Sequence, residues 1–514
     1  MPNAFAFAVL FSWPVVVYLL FRRLPFHEAI IWSILGGYLL LPTRAGFDLP
    51  AVPPIDKQSL TSLSVVLMVV LGVGAAATGR ARFNGVADAL GLKMPIPIAV
   101  LMLVMLTSPF ITVFTNPEVL QYGPLILPAL RPYDAISIIG GFVFGLLPFL
   151  LAQRHFATVE SHVVLLKALV LAMLIYSLPT LFEIRMSPQL NVTFYGFFPH
   201  QFLQHMRDGG FRPVVFLLHG LWLAIIFAMA VTAALALWKH RLFEGKRAGH
   251  WIFAALYLLI VLALSNSLGA LVIAVMIIPV AVLLGTRGQV LVAAVLAGAV
   301  LVYPILRGAQ IVPVDDILSL AESVSAERAA SLEFRLRNED ALSERAAEKP
   351  WGGWGSWGRN LIFDPETGQD QSIVDGAWIL LIGTYGWLGY LAQFGLMTLP
   401  ILLIALGRRK VPIAPATAGL ALVMVVNLVD LIPNATMGPV TWLISGALAG
   451  FYARRDVPDA DVSAQTGQSR PKRNWGMVSD RGTPAMDPPR PAAGDPGGWM
   501  QKSGRKGRSK RQAG

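Results

Sequence analysis

The sequence predicts an all-α protein of the membrane, a polytopic helical bundle with about 13 spans, a large and partly helical exterior loop, and a disordered cytoplasmic tail. Composition is the first observation behind this prediction. The 514 residues are 55% hydrophobic and 14% charged, whereas soluble domains carry about 25% charged residues. The second observation is length, because the apolar stretches run for about 18–25 residues, which is long enough for a helix to cross the bilayer hydrocarbon. Such stretches are too long for barrel strands.

The predicted spans follow one another with polar connections between them. Each apolar stretch ends at a cluster of charged or turn-forming residues, and these clusters set the limits of the helices. The predicted spans lie near residues 4–21, 26–41, 59–78, 94–113, 133–152, 157–181, 213–238, 250–265, 268–285, 289–306, 375–407, 413–432 and 438–453. Basic residues follow the first span and none precedes it, so we expect a membrane anchor rather than a cleaved signal peptide.

Connections that are rich in Lys and Arg alternate along the chain with connections that hold few of them, and this pattern predicts the orientation of the chain in the membrane. Basic residues crowd into every second connection, for example at 22–23, 239–247 and 408–410, while the short connections between them hold few. Cytoplasmic loops carry the excess of Lys and Arg in membrane proteins. We therefore predict a multi-pass membrane protein whose N-terminus faces out and whose C-terminus lies in the cytoplasm.

Residues 1–455 are predicted to form the membrane domain, with two long exterior segments at about 183–212 and 307–374. In the second segment, residues 317–348 are dominated by Leu, Ala and Glu, which predicts helix. The sequence WGGWGSWG at 351–358 predicts a loop, because its glycines permit close approach of the backbone to its neighbours.

The segment 456–514 is rich in Pro, Gly, Ser and Arg and has no apolar periodicity, which predicts a disordered basic tail. This tail holds nearly half of the net charge of +11, so the charge does not indicate nucleic-acid binding; anionic membrane lipid is the expected partner. The chain has no cysteine and therefore no disulfide or thiolate metal site. The GxxxxGK[ST], HExxH and GxSxG motifs of soluble enzymes are absent from the sequence.

Arginines in the two exterior segments are the first candidates for binding residues. A guanidinium group presents a planar fork of donors that matches phosphate and keeps its charge when partly desolvated. We expect several of these arginines to pair with acidic residues on solvated helix faces. Arg212, in GGFRP, has fewer carboxylates near it in the sequence. The candidates are Arg185, Arg212, Arg335, Arg337 and Arg359.

Two acidic residues stand at predicted ends of spans. Asp375 begins the stretch DGAWILLIGTYGWLGY, where a carboxylate can cap a helix N-terminus. Alternatively, Asp375 serves as a base, or orients an arginine, in a polar cavity. Asp430, with Asn427 and Asn434 close by in the sequence, either lines the same cavity or caps a helix end.

Histidines occur near the first exterior segment. His219 lies about two turns into the predicted span 213–238, where it is either a hydrogen-bonded core residue or part of the acceptor path. His200 and His205 lie five residues apart in a predicted loop. A metal ion would require further ligands that the sequence does not cluster nearby, so no metal site is predicted.

In layout, residues 1–453 resemble the O-antigen ligase and O-antigen polymerase superfamily, which comprises membrane glycosyltransferases that use polyprenyl-diphosphate-linked glycans. The resemblance rests on many spans, an early outer loop LPAVPPIDK at 49–57, and one large exterior loop close to the last spans.

The segment after that loop carries the ligase pattern in part. Ligases have a histidine there, followed by an amide or Ser, by a Leu four residues later and by a Gly eleven residues later. Asp375 takes the histidine position, Gly376 the next, Ile379 the Leu position and Gly386 the Gly position. Because the histidine is absent, the resemblance favours the polymerase branch over a lipid A-core ligase.

Polymerases are also described with an Arg-x10-Gly pattern in their outer loops. The pair Arg185 and Gly196 fits this spacing, and the second exterior segment has no such match.

The resemblance implies an inverting, metal-independent glycosyltransferase without a cofactor. It also implies a location in the bacterial inner (cytoplasmic) membrane, with a periplasmic N-terminus and a cytoplasmic C-terminus. Its partners would be a polyprenyl-diphosphate-linked oligosaccharide and an acceptor glycan, with a chain-length regulator and a flippase in the same pathway. The departing diphosphate requires fixed cations, and the attacking hydroxyl group requires a proton acceptor.

The need for cations and for a proton acceptor assigns an expected role to each candidate site residue. Arg212, Arg335 and Arg337 are expected to hold the diphosphate, and Asp375 is expected to be the base or the residue that orients it. Arg359, Arg185 and His219 are further candidates for binding substrate.

Other functions remain open at this stage. The alternative closest to a polymerase is a ligase-type enzyme that transfers the glycan to another acceptor. A transporter or flippase for lipid-linked glycan is the rival class, although transporters usually bind substrate at the bilayer midplane between two related halves, and no internal repeat is visible. A structural subunit of a polysaccharide export complex is the third alternative.

Overall fold

The computed structural model describes residues 1–47, 54–73, 86–91, 94–207, 210–324, 326–409 and 412–454, without the side chains of 207, 317, 320, 321, 324, 327 and 328. These residues belong to one compact and mostly helical unit. The predicted tail 456–514 and much of the LPAVPPIDK segment lie outside the described residues.

Helices account for most of the described chain. In chain order the helices are α1 (Ala4–Arg23), α2 (Phe26–Leu40), α3 (Lys57–Val70), α4 (Val86–Leu90), α5 (Ile96–Phe114), α6 (Pro132–His155), α7 (Val159–Met186), α8 (Leu190–Tyr195), α9 (Gly220–Phe243), α10 (Gly249–Leu264), α11 (Leu268–Leu283), α12 (Thr286–Gly308), α13 (Val314–Val324), α14 (Ala326–Ala347), α15 (Ala377–Gly407), α16 (Pro415–Asp430) and α17 (Pro439–Ala453). Two antiparallel hairpins join β1 (Leu120–Tyr122) to β2 (Leu125–Leu127) and β3 (Met206–Arg207) to β4 (Gly210–Phe211).

Seven helices in the described part of the chain are long and apolar enough to cross a membrane: α1, α5, α6, α7, α9, α12 and α15. Six more apolar helices are shorter, namely α2, α3, α10, α11, α16 and α17. The chain is therefore a helical, multi-pass membrane protein, which confirms the predicted class. The predicted helix at 317–348 is also confirmed, as α13 and α14, and so is the irregular backbone at 351–358.

Small residues let the central helices pack at close range. On α17, a Cβ atom at Gly446 would lie 2.2 Å from the carbonyl oxygen of Phe149, and one at Gly450 would lie 2.2 Å from that of Gln153. These two glycines form a GxxxG spacing, which permits backbones of neighbouring membrane helices to touch. As a result α17 packs directly along α6 in the interior of the bundle.

Helix α15 is broken at Gly386, where φ is +65°. The loop at 351–358 packs into this break and satisfies its backbone groups. The amide of Trp354 donates to the carbonyl of Gly383 at 2.8 Å, and the amide of Trp387 donates to the carbonyl of Pro350 at 2.7 Å. Irregular backbone at membrane depth is stable only where protein satisfies its polar groups. The break therefore fixes the chain that follows α14 against α15.

Two predicted boundaries are wrong by about two helical turns. In the predicted span 59–78, helix α3 ends at Val70, and residues 71–73 form a turn. The span predicted at 213–238 begins only at Gly220, because residues after Pro213 form a turn in which Val215 has φ of +55°. His219 is consequently the N-cap of α9, with Nδ1 accepting a hydrogen bond from the amide of Leu221, and does not lie two turns inside a span.

Candidate functional site

A cavity of about 460 Å³ lies where four separate segments meet. These segments are the connection between α7 and α9 together with the first turn of α9, helix α14, the residues just before α15, and the connection between α16 and α17. The charged and imidazole side chains in its wall are His200, Arg212, His219, Arg335 and Asp375. Four of these five are site residues predicted from the sequence, whereas His200 is not among the predicted site residues.

Arg335 and Asp375 form an ion pair in the wall of the cavity. The Nε atom of Arg335 lies 3.2 Å from Oδ2 of Asp375, and both side chains are about one-third exposed. Burial raises the pKa of the Asp375 carboxyl above its ordinary value, while the positive charge of Arg335 opposes that shift. The pair joins α14 to the start of α15 and keeps a fixed guanidinium group at the cavity.

Arg212 enters the same cavity from the connection between α7 and α9. Its side chain is 9% exposed, and Nη2 donates to the carbonyl of Asn266 at 3.1 Å. A Cβ atom at Gly220 would lie 2.4 Å from Cγ of Arg212. The arginine therefore lies against the first residue of α9, a contact that only glycine permits at position 220.

A buried carboxylate holds the chain on the C-terminal side of Arg212. Glu183, in α7, is 0% exposed and accepts hydrogen bonds from three backbone amides: Leu190 at 2.9 Å, Val214 at 2.8 Å and Val215 at 2.7 Å. These three donors offset the cost of burying the charge. Glu183 thereby ties both ends of the connecting segment to α7. No sequence pattern marks Glu183 as important, because its partners are backbone groups.

Three histidines cluster beside Arg212. The ring centroid of His219 lies 4.5 Å from that of His205 and 4.9 Å from that of His200. Burial lowers the pKa of His219 to about 2, with smaller contributions from His205, Arg212, His200 and Arg335, so this imidazole is neutral. No group of three or more His, Asp or Glu residues in the described ranges has the arrangement of a metal site.

The β3–β4 hairpin brings His205 next to Arg212. Met206 pairs with Phe211, and the amide of Arg212 donates to the carbonyl of His205 at 2.8 Å. The sequence DGG at 208–210 is a typical hairpin signal that would have predicted this contact. The approach of His200 to His219 has no comparable local signal.

The remaining polar wall comes from the connection between α16 and α17. Asn434 and Thr436 line the cavity and donate hydrogen bonds to the two carboxylate oxygens of Asp430, at 2.8 Å and 2.6 Å. Asp430 is 2% exposed and is not among the described residues that line the cavity. Asp430 therefore holds the side chains of Asn434 and Thr436 in place without itself lining the cavity.

Arg185, Arg337 and Arg359 are not among the described lining residues of the cavity. Arg185 is exposed in the last turn of α7. The Arg337 side chain is 76% exposed and pairs with Glu333 at 2.5 Å. Residues two positions apart on a helix point to different sides, so Arg335 and Arg337 cannot both face the cavity from α14.

Arg359 has a structural set of partners instead. It is 1% exposed, and its guanidinium donates to the carbonyl of Pro128 at 2.8 Å and contacts Glu118 at 3.4 Å. Lys349 pairs with the same carboxylate at 2.5 Å. These contacts attach the loop at 351–358 to the β1–β2 region, away from the cavity.

Glu339 lies one helical turn after Arg335 and is 7% exposed. Burial raises the pKa of its carboxyl to about 7, against the opposing charge of Arg307, which itself pairs with Asp340 at 2.6 Å. The negative charges of Asp340 and Asp375 contribute to the rise. A neutral or easily protonated acid thus lies close to the Arg335–Asp375 pair.

No protein-family model matches the chain, and no curated protein matches it significantly. The chemistry of the cavity is accordingly the basis for a functional proposal.

Proposed function

We propose that the protein is a membrane polysaccharide polymerase, which transfers polyprenyl-diphosphate-linked oligosaccharide units onto an acceptor glycan. One observation carries this proposal: two guanidinium groups from distant segments, Arg212 and Arg335, line one cavity together with the carboxylate of Asp375. Two fixed cations with an adjoining acid suit a substrate that leaves as a diphosphate.

The reaction explains why this cavity needs arginines. An acceptor hydroxyl oxygen bonds to the anomeric carbon as the bond from that carbon to the diphosphate oxygen breaks. The electron pair goes to the diphosphate, and the hydroxyl proton goes to a base. Cations already in place stabilise the charge that develops on the leaving group. Arg212, held by the Asn266 carbonyl, and Arg335, held by Asp375, are such cations.

The remaining wall suits a sugar. Trp222 and Phe334 offer apolar ring faces, while Asn434 and Thr436 offer polar groups that can bind hydroxyls. A volume of about 460 Å³ falls within the roughly 300–1,000 Å³ of typical ligand sites. It fits a diphosphate with the sugar attached to it rather than a whole oligosaccharide.

The distribution of charge supports an outward-facing site. We propose that all thirteen apolar helices cross the inner membrane, with the N-terminus in the periplasm and the C-terminus in the cytoplasm. The topology is predicted from the distribution of Lys and Arg alone, without reference to the cavity. In this topology, all four segments that form the cavity fall on the periplasmic side. The site then faces lipid-linked glycan on the outer leaflet.

The six shorter helices have 14–16 residues, or about 21–24 Å at 1.5 Å per residue. Flanking residues and local bilayer thinning accommodate such lengths.

Reconstitution tests this proposal directly. Purified protein is placed in liposomes with an outward-facing polyprenyl-diphosphate oligosaccharide, and the glycan products are sized. The polymerase proposal expects longer glycans still attached to one lipid carrier. Transfer to a different added acceptor would indicate ligase-type activity. Movement of unmodified substrate across the bilayer would indicate a transporter, and an unchanged substrate would contradict all three catalytic or transport functions.

A further inference from the structure

We infer that His200 is the proton acceptor for the attacking hydroxyl group. This inference rests on the proposed glycosyl transfer and adds a residue to it. A base must have a free lone pair that faces the substrate, and the titratable groups at the cavity differ in whether their hydrogen bonds leave one.

His200 meets this requirement. Its side chain is exposed and lines the cavity, and neither ring nitrogen has a hydrogen-bond partner among the described residues. Its ring contacts are with His219, at 4.9 Å between centroids, and with His205, at 6.2 Å. The surrounding protein and the charge of Arg44 lower the pKa of His200 below its ordinary value. The imidazole is therefore neutral near pH 7 and holds a lone pair that can take a proton.

His219 has the opposite character. Its Nδ1 atom accepts a hydrogen bond from the amide of Leu221 at 3.0 Å, so the ring proton lies on Nε2. The free side of this imidazole is a donor, suited to a substrate oxygen and not to proton removal. His205 is 0% exposed and donates from Nδ1 to the carbonyl of Gln201 at 3.0 Å, so it lies behind His219.

The carboxylates at the cavity are already engaged. Protonation of Asp375 would break its ion pair with Arg335 while charge is developing on the diphosphate. Both oxygens of Asp430 accept hydrogen bonds from Asn434 and Thr436. Among the described groups in the wall, His200 can take the proton without disrupting a contact that holds the site together.

The step balances without a further reactant. The hydroxyl proton passes to the free nitrogen of His200 as the new carbon–oxygen bond forms and the diphosphate departs with its electron pair. Because His200 is exposed, the imidazolium then releases its proton to solvent. The positive charge of Arg44, in the connection between α2 and α3, opposes this imidazolium. The other charged side chains in the wall of the same cavity are those of Arg212, Arg335 and Asp375.

Kinetics of the full-length protein in liposomes test the inference. His200→Gln should lower kcat for elongation by about 100-fold, the size typical for loss of a general base, and leave KM for the lipid-linked donor nearly unchanged. The fall in wild-type rate at acidic pH should disappear in this variant. Imidazole added to His200→Gly should restore part of the rate. His250→Gln, the same change at an exposed histidine of α10 that is not among the described lining residues of the cavity, is the matched control and should change kcat little.

The outcomes separate this inference from the proposed function. Suppose that wild-type protein elongates the glycan. If His200→Gln then elongates it at the same rate, or keeps the acidic limb of the pH profile, the role of His200 is overturned and the polymerase proposal stands. If wild-type protein elongates no glycan, the proposed function is overturned, and the role of His200 with it.

Discussion

The Nε atom of Arg335 lies 3.2 Å from Oδ2 of Asp375, across the gap between α14 and the start of α15. The two residues are 40 positions apart in the chain, and the loop at 351–358 joins their helices by packing into the break at Gly386. Arg212 reaches the same cavity from the connection between α7 and α9. The fold of the exterior loop therefore determines where the positive charge of Arg335 lies in the cavity.

Replacing Asp375 with Asn should remove the group that orients Arg335 while keeping the shape of the side chain. We expect kcat for elongation to fall about 10-fold, as for an interaction of about 1.4 kcal/mol, and the acidic limb of the pH profile to remain. Asp375→Glu should recover part of the rate. Loss of the acidic limb in Asp375→Asn would instead make Asp375 the base.

Replacing Gly386 with Ala should displace the loop at 351–358. The added Cβ atom would lie 2.3 Å from the carbonyl oxygen of Trp351, and φ of +65° disfavours any side chain. The melting temperature in detergent should fall sharply, and elongation should be lost. Gly141→Ala is the matched control, since a Cβ atom there meets nothing within 4 Å. Equal melting temperatures for the two variants would refute the docking role of the break.

Glu183→Gln should loosen the segment that carries Arg212. An amide group can no longer accept all three backbone hydrogen bonds, and each buried amide left unpaired costs about 1–3 kcal/mol. We expect a lower melting temperature together with a raised KM for the lipid-linked donor. Arg185→Ala, two residues further along α7 and exposed, should change neither quantity. A destabilised variant whose KM stays at the wild-type value would show that Glu183 does not position Arg212.

Glu339 should make stability depend on pH. The pKa of its carboxyl is raised from 4.5 to about 7 in the folded protein, so the folded state holds more protons than the unfolded state between these values. The free energy of unfolding therefore falls as the pH rises from about 4.5 to 7. Glu339→Gln should raise the melting temperature at pH 8, by an amount that reflects about 3 kcal/mol, and have little effect near pH 4.5. A variant less stable than wild type at pH 8 would contradict this assignment.

Much of the fold could be predicted from sequence because hydrophobicity is a local property. The thirteen predicted apolar stretches each overlap an observed helix. The boundary error before α9 occurs where an apolar run continues through a turn whose geometry depends on Glu183. A hydropathy pattern does not register that turn, since the buried carboxylate lies on another helix.

The candidate site was predictable only in part. Arg212, His219, Arg335 and Asp375 converge on one cavity, as their chemistry led us to expect. Helical periodicity alone would have separated Arg337 from Arg335. The burial of Arg359 depends on Glu118, more than two hundred positions away in the chain, and no local pattern reveals such a partner.

Binding of a polyprenyl diphosphate to the purified protein tests most directly whether Arg212 and Arg335 form one diphosphate site. The dissociation constant is measured for wild type, for Arg212→Ala with Arg335→Ala, and for a control with Arg185→Ala and Arg337→Ala. We predict that the first double variant binds at least about 100-fold more weakly, because two charge-assisted contacts are lost, and that the control binds like wild type. Equal affinity of all three proteins would contradict the account.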